Sequence, residues 1–188
     1  MLLQGIMRAT VMFTAAAAAV AILSVARAAS AGGYVGLAVG GPASIDGDYA
    51  VSAREGEGKN GRLILGQRFG MVSLEAAAGG YAFGNANAGY DVRSIAAGAK
   101  VNLPLSGRLE VLLRGGLERT WLSSDDARLA DADADGWYGG IGLELPIDLG
   151  LGTGSLFVDV SRHEADTNAG TPAHLTATLW GVGVTVGF

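Results

Sequence analysis

The last nine residues, Trp180-Gly-Val182-Gly-Val184-Thr-Val186-Gly-Phe188, alternate a large apolar side chain with glycine or threonine and finish on an aromatic residue. Successive side chains of a strand point to opposite faces. Trp180, Val182, Val184, Val186 and Phe188 therefore line one side, and Gly181, Gly183, Thr185 and Gly187 the other. A soluble sandwich would bury the oily side against a second sheet. A closed sheet in a bilayer turns it to lipid and packs the nearly bare side inward.

The other end of the chain points to export. Met1 to Arg8 carries one positive charge, Ala9 to Ala26 is apolar, and Ala26-Arg27-Ala28 has the small-x-small pattern of a signal-peptidase site. Residues 1–28 are thus expected to be a cleavable signal peptide, and residues 29–188 the mature domain. Removing Arg8 and Arg27 from the 13 Lys plus Arg leaves 11 against 18 Asp plus Glu, a formal charge of −7 that argues against nucleic acid as a partner. The mature chain has no further run of roughly 20 apolar residues, so any membrane crossing must be made by strands. Without cysteine there is no disulfide framework, thiol nucleophile or cysteine zinc site.

Alternation predicts eight strands: Tyr34 to Gly40, Arg62 to Phe69, Met71 to Tyr81, Val92 to Leu103, Leu109 to Trp121, Trp137 to Leu145, Ser155 to Arg162 and Thr176 to Phe188. Compact connections around Gly70, Gly107 and Pro146 to Gly154 alternate with four long ones, Gly41 to Gly61, Ala82 to Asp91, Leu122 to Gly136 and His163 to Leu175. Short turns at one end and long loops at the other are the layout of an all-β, eight-stranded, antiparallel up-and-down transmembrane barrel. Such a barrel is too narrow for a wide channel, so its interior is expected to be filled by side chains. The 31 glycines, spread through strand-like segments, suit a crowded inner face.

Charge falls on one face of consecutive strands. Leu109, Val111, Leu113, Leu117 and Trp121 oppose Glu110, Arg114 and Glu118, and the same parity sets Glu75, Lys100, Glu144 and Asp159 against apolar neighbours. In a barrel these seven form a lumen charge network of five acids and two bases. Buried charges require partners, so the surplus acids must be hydrated, protonated or joined by Arg62 or Arg68. The facing of those two arginines is ambiguous because Leu63, Ile64 and Leu65 are consecutive.

Three further patterns bear on function. Arg93, Arg119 and Arg162 share the lipid-facing parity at the extracellular strand ends, where guanidinium groups pair with lipopolysaccharide phosphates or reach for water. Asp131, Asp133, Asp135 and Gly136 open like a calcium loop, but the twelfth position is Gly142, so a solvated acidic loop is expected and no metal site. Asp159, Ser161 and His163 lie on one strand face, yet residues two apart are spaced by nearly 7 Å. On that ground no catalytic site is expected.

The mature chain resembles the small OmpA-like, porin-family outer-membrane β-barrels. The resemblance rests on Gly33-Tyr-Val-Gly-Leu-Ala-Val-Gly40, Arg62-Leu-Ile-Leu-Gly-Gln-Arg-Phe69, Asn102-Leu-Pro-Leu-Ser-Gly107, Asp135-Gly-Trp-Tyr-Gly-Gly-Ile-Gly-Leu-Glu144 and the terminal strand. It implies a location in the bacterial outer membrane among lipid and lipopolysaccharide. It also implies insertion by the outer-membrane assembly machinery, with Trp180, Val182, Val184, Val186 and Phe188 as the assembly signal. No cofactor and no enzymatic activity are expected. The expected role is structural, in envelope integrity, with four surface loops whose ligand the sequence does not identify. An adhesin acting through those loops is the alternative, and a narrow diffusion pore the third. No peptidoglycan-binding domain is recognisable.

Overall fold

The computed structural model describes residues 32–41, 43–47, 59–85, 88–124, 132–148, 153–167 and 173–188. The expected signal peptide and the tips of the long loops, with Asp125, Asp126 and Asp131, lie outside the described residues. Among these described residues nine strands form one sheet: β1 (Gly33–Gly40), β2 (Ser44–Gly47), β3 (Asn60–Phe69), β4 (Val72–Asn85), β5 (Ala88–Ser106), β6 (Leu109–Ser124), β7 (Ala132–Asp148), β8 (Thr153–Thr167) and β9 (His174–Gly187). From β3 to β9 each strand pairs antiparallel with the next, and β1 pairs with both β3 and β9, which closes the sheet. The short β2 continues the place of β1 higher up β9, from Ser44 opposite Thr178 to Gly47 opposite Leu175. The wall therefore has eight staves, and the terminal strand closes it against Tyr34 to Val39.

Two tight turns explain the compact end. Phe69 pairs with Val72 and Ser106 with Leu109, leaving two-residue links Gly70-Met71 and Gly107-Arg108. Their glycines sit at φ of 65° and 58°, in the left-handed region that L side chains avoid and that reversed-twist hairpin turns require. Pro104 and Pro146 lie within β5 and β7 rather than in the turns, and a register shift between Pro104 and Ser106 absorbs the first.

Outside the turns, the sheet sorts its side chains by face. Leu74, Ile95, Leu117, Ile141, Leu156, Trp180 and Phe188 are among many large apolar residues left exposed on the outer wall, Leu117 at 73%. A continuous apolar surface of this kind is a liability in water and a requirement in a bilayer.

The strands run further toward the long loops than the alternation suggested. Most of Ala82 to Asp91 is a hairpin, β6 and β7 extend to Ser124 and from Ala132, and β8 reaches Thr167. The physical reason is an inversion of polarity along the wall. Beyond the lipid belt the outward positions become polar, as at Asp91, Asp133, Asp135 and Asp166, while the inward ones become apolar, as at Tyr81, Phe83, Tyr90, Leu122, Ala134, Ala165 and Leu175. Above the membrane the barrel is a water-exposed sheet around an ordinary hydrophobic core, in which the Phe83 and Tyr90 rings stack 5.1 Å apart.

Candidate functional site

The lumen is built in layers. Nearest the turns, Glu110 and Glu144 lie directly opposite each other on β6 and β7. Two adjacent carboxylates repel unless donors lie between them, and Asn102 Nδ2 donates to both, at 2.8 Å each. Arg68 Nη2 pairs with Glu110 at 3.3 Å. Lys100 Nζ pairs with Glu144 at 3.0 Å, and Ser155 Oγ donates to the same carboxylate. Around these groups the lumen opens at the turn end into a vestibule of about 780 Å³.

The middle layer is centred on Glu75, Arg114 and Asp159. Arg114 Nη1 lies 3.6 Å from Glu75, and its Nε lies 3.3 Å from Asp159 without the alignment of a hydrogen bond. Arg62 Nη2 donates to Asp159 at 2.6 Å, Tyr34 Oη donates to Glu75 at 2.6 Å, and Lys100 stands 3.8 Å from Glu75. Lys100 and Arg114 also lie over the faces of Tyr34 and Phe157, at 4.7 and 5.2 Å from the ring centres. Arg62 and Arg68 thus face inward, because Ile64, only 1% exposed, shares their parity and packs with Leu112, Tyr34, Ala38 and Phe157.

With those two arginines, four basic side chains, Arg62, Arg68, Lys100 and Arg114, face five carboxylates. The fifth carboxylate, Glu118, has His163 instead, with Nδ1 2.9 Å from Oε2. Ser161 Oγ lies 3.0 Å from Nε2 of the same ring, and Tyr138 stacks on it at 5.7 Å. The spacing argument against contact between Ser161 and His163 is therefore overturned. Their Cα atoms stand apart on the strand, but the imidazole is long enough to swing its far nitrogen back to the hydroxyl. Neither sequence parity nor spacing marks His163 as the partner of Glu118, 45 residues away; only the β6–β7–β8 register brings them together.

Around this upper layer the enclosed space amounts to about 40 Å³, room for a few water molecules. The apolar core described above closes the lumen beyond it. Among the described residues no cluster of His, Asp and Glu has the makings of a metal site.

The outer rim holds the three arginines flagged by parity, all exposed. Arg119 lies 3.3 Å from Asp133 and 3.9 Å from Asp135, and Arg162 lies 2.7 Å from Glu164. Arg93 stands opposite Trp121 in the β5–β6 ladder and makes no ion pair among the described residues. The apolar side chains of β9 from Trp180 to Phe188 all lie on the outer face.

A closed antiparallel barrel with an oily outer belt and a polar, filled lumen defines a small transmembrane barrel protein. The chain belongs to the outer membrane protein beta-barrel domain family, whose profile matches residues 13–188, and it is a protein of the bacterial outer membrane. Neisserial surface protein A superposes with a TM-score of 0.69 at 16% identity, over 83% of this chain and 97% of that one. Ail, the attachment invasion locus protein of Yersinia pestis, superposes at 0.53 with 8% identity, over 85% and 100%. The N-terminal barrel of Pseudomonas aeruginosa OprF superposes at 0.50 with 12% identity, over 83% and 97%. No curated protein matches the sequence significantly.

Proposed function

We propose that this protein is a structural component of the outer membrane that contributes to envelope integrity and does not conduct. The observation that carries this reading is the doubly sealed lumen, with cross-strand ion pairs through its middle and an apolar core above them. A pore would need a continuous wet path, whereas every layer here is spanned by side chains from facing strands. Purified barrel in planar bilayers is expected to give no steady conductance while showing heat-modifiable migration from detergent extracts. A large reproducible conductance would overturn the sealed reading. Cells lacking the protein are expected to become more sensitive to detergents and large antibiotics.

The outer rim supports lipopolysaccharide as a partner. Arg119 is shared with exposed carboxylates and the exposed Arg162 with the half-buried Glu164, and rim pairs of this kind contribute only about 0–1 kcal/mol, so they exchange readily for a phosphate. Arg93 has no such competitor among the described residues and sits beside Trp121 at the belt edge. Changing Arg93, Arg119 and Arg162 together to glutamine is expected to lower co-purifying lipopolysaccharide several-fold, with R93Q the largest single contributor. Unchanged retention would sink the idea.

The outward face from Trp180 to Phe188 is read as the signal recognised by the insertase. Deleting Phe188 is expected to lower the folded yield in cells while refolding in detergent proceeds. An equal loss in both settings would show that Phe188 serves stability alone.

A further inference from the structure

We propose that Ser161 is an activated nucleophile that accepts a short acyl group from an ester, with His163 as its base and Glu118 positioning that base. This goes beyond the structural role and does not depend on it. The geometry is specific in its order of donors. An ionised carboxylate only accepts, so the His163 Nδ1 that faces Glu118 at 2.9 Å carries the ring hydrogen. In the neutral imidazole Nε2 is then the acceptor, and the Ser161 hydroxyl at 3.0 Å donates to it. That is the tautomer and direction in which a histidine removes a proton from an attacking hydroxyl. Tyr138, stacked on the imidazole at an interplanar angle of 17°, holds the ring plane.

Two further observations make this more than a satisfied hydroxyl. Arg62 lines the same cavity as Ser161 and His163, and while its Nη2 is taken by Asp159, its buried Nε has no hydrogen-bond partner. A donor without an acceptor in the lining of the nucleophile's cavity is the group the proposal assigns to the developing oxyanion. The cavity also abuts an interruption of the β-ladder in the wall. The β1–β9 ladder ends at Val39 opposite Val182, and β2 resumes it at Ser44 opposite Thr178. Between them the Asn60 amide donates to Gly41 O at 2.8 Å and Trp180 O at 3.0 Å, and Asn60, Trp180 and Gly181 line the cavity. This side-chain clip, standing in place of backbone pairing, is the entry route that the proposal assigns to the ester.

The narrow space beside Ser161, about 40 Å³, favours a short acyl group over a long chain. In the proposed step, Ser161 Oγ bonds to the ester carbonyl carbon as its proton passes to His163 Nε2. The carbon–oxygen bond to the alcohol then breaks, and the alcohol leaves with that proton, so that Ser161 becomes an ester.

The test uses the folded protein in phospholipid vesicles, p-nitrophenyl acetate as acyl donor, and mass spectrometry to locate the acetyl group. Acetylation is expected at Ser161. It should fall about 100-fold in H163A and H163Q, the scale of a lost general base. It should fall at least about tenfold in E118Q and rise in N60A, each variant being first confirmed as folded by its heat shift. An unmodified Ser161 in the wild type, or equal acetylation in H163Q, overturns the proposal.

Discussion

Replacing Arg114 with methionine is expected to destabilise the folded barrel by about 3–5 kcal/mol, the scale for leaving a buried charge pair without one member. Arg114 is the cation shared between Glu75 and Asp159, and its side chain is 2% exposed. Methionine keeps much of the aliphatic stem and its packing, so the loss reports charge. Glu75 would keep Lys100 at 3.8 Å and the Tyr34 hydroxyl, and Asp159 would keep Arg62. Three cations would then face five carboxylates, with His163 committed to Glu118. Adding E75Q to R114M removes one of those carboxylates and is expected to restore part of the stability. The reverse holds if the network is unimportant, and E75Q then brings no recovery. R114K, which keeps the charge but loses the planar fork, is expected to lie between. The measurement is the urea midpoint in lipid vesicles, and a change below about 1 kcal/mol in R114M would refute the shared-cation account.

This network also marks where sequence reasoning stops. The parity of Glu110, Arg114 and Glu118 against Leu109, Leu113 and Leu117 was legible because each strand of the belt obeys one rule, apolar outward and polar inward. Arg62 and Arg68 were not legible, since Ile64 breaks the rule from inside. It is an apolar inward residue in a patch shared with Leu112 and Phe157, and only the packing of three distant staves reveals that patch. The strand extensions escaped for a related reason. Above the bilayer the rule reverses, so Phe83, Tyr90 and Leu175 read as loop when they are core. Ser161 and His163 escaped because strand spacing constrains Cα atoms, whereas contact is decided by where side chains bend.

The glycines show a second way in which the inner and outer faces differ, and they predict opposite outcomes for one residue type. Gly98 and Gly116 lie directly opposite each other on β5 and β6, both on the inward parity. A Cβ at Gly116 would stand 2.2 Å from Ala97 O and 2.6 Å from the Gly98 Cα, and one at Gly98 would stand 2.2 Å from Gly115 O. These obstacles are backbone, which has no rotamer to change, so the strands must separate and break their ladder. Narrow barrels coil their strands tightly, and this opposed pair lets β5 and β6 approach closely. G116V is therefore expected to abolish the heat-modifiable folded form. Gly139 lies on β7, outward between Trp137 and Ile141, and a Cβ there meets nothing closer than the Trp137 ring at 3.6 Å. With no left-handed φ to preserve, G139A is expected to fold with an unchanged urea midpoint and to place its methyl in lipid. Were G116V to fold as well as G139A, close inner-face coiling would not be what fixes these staves together.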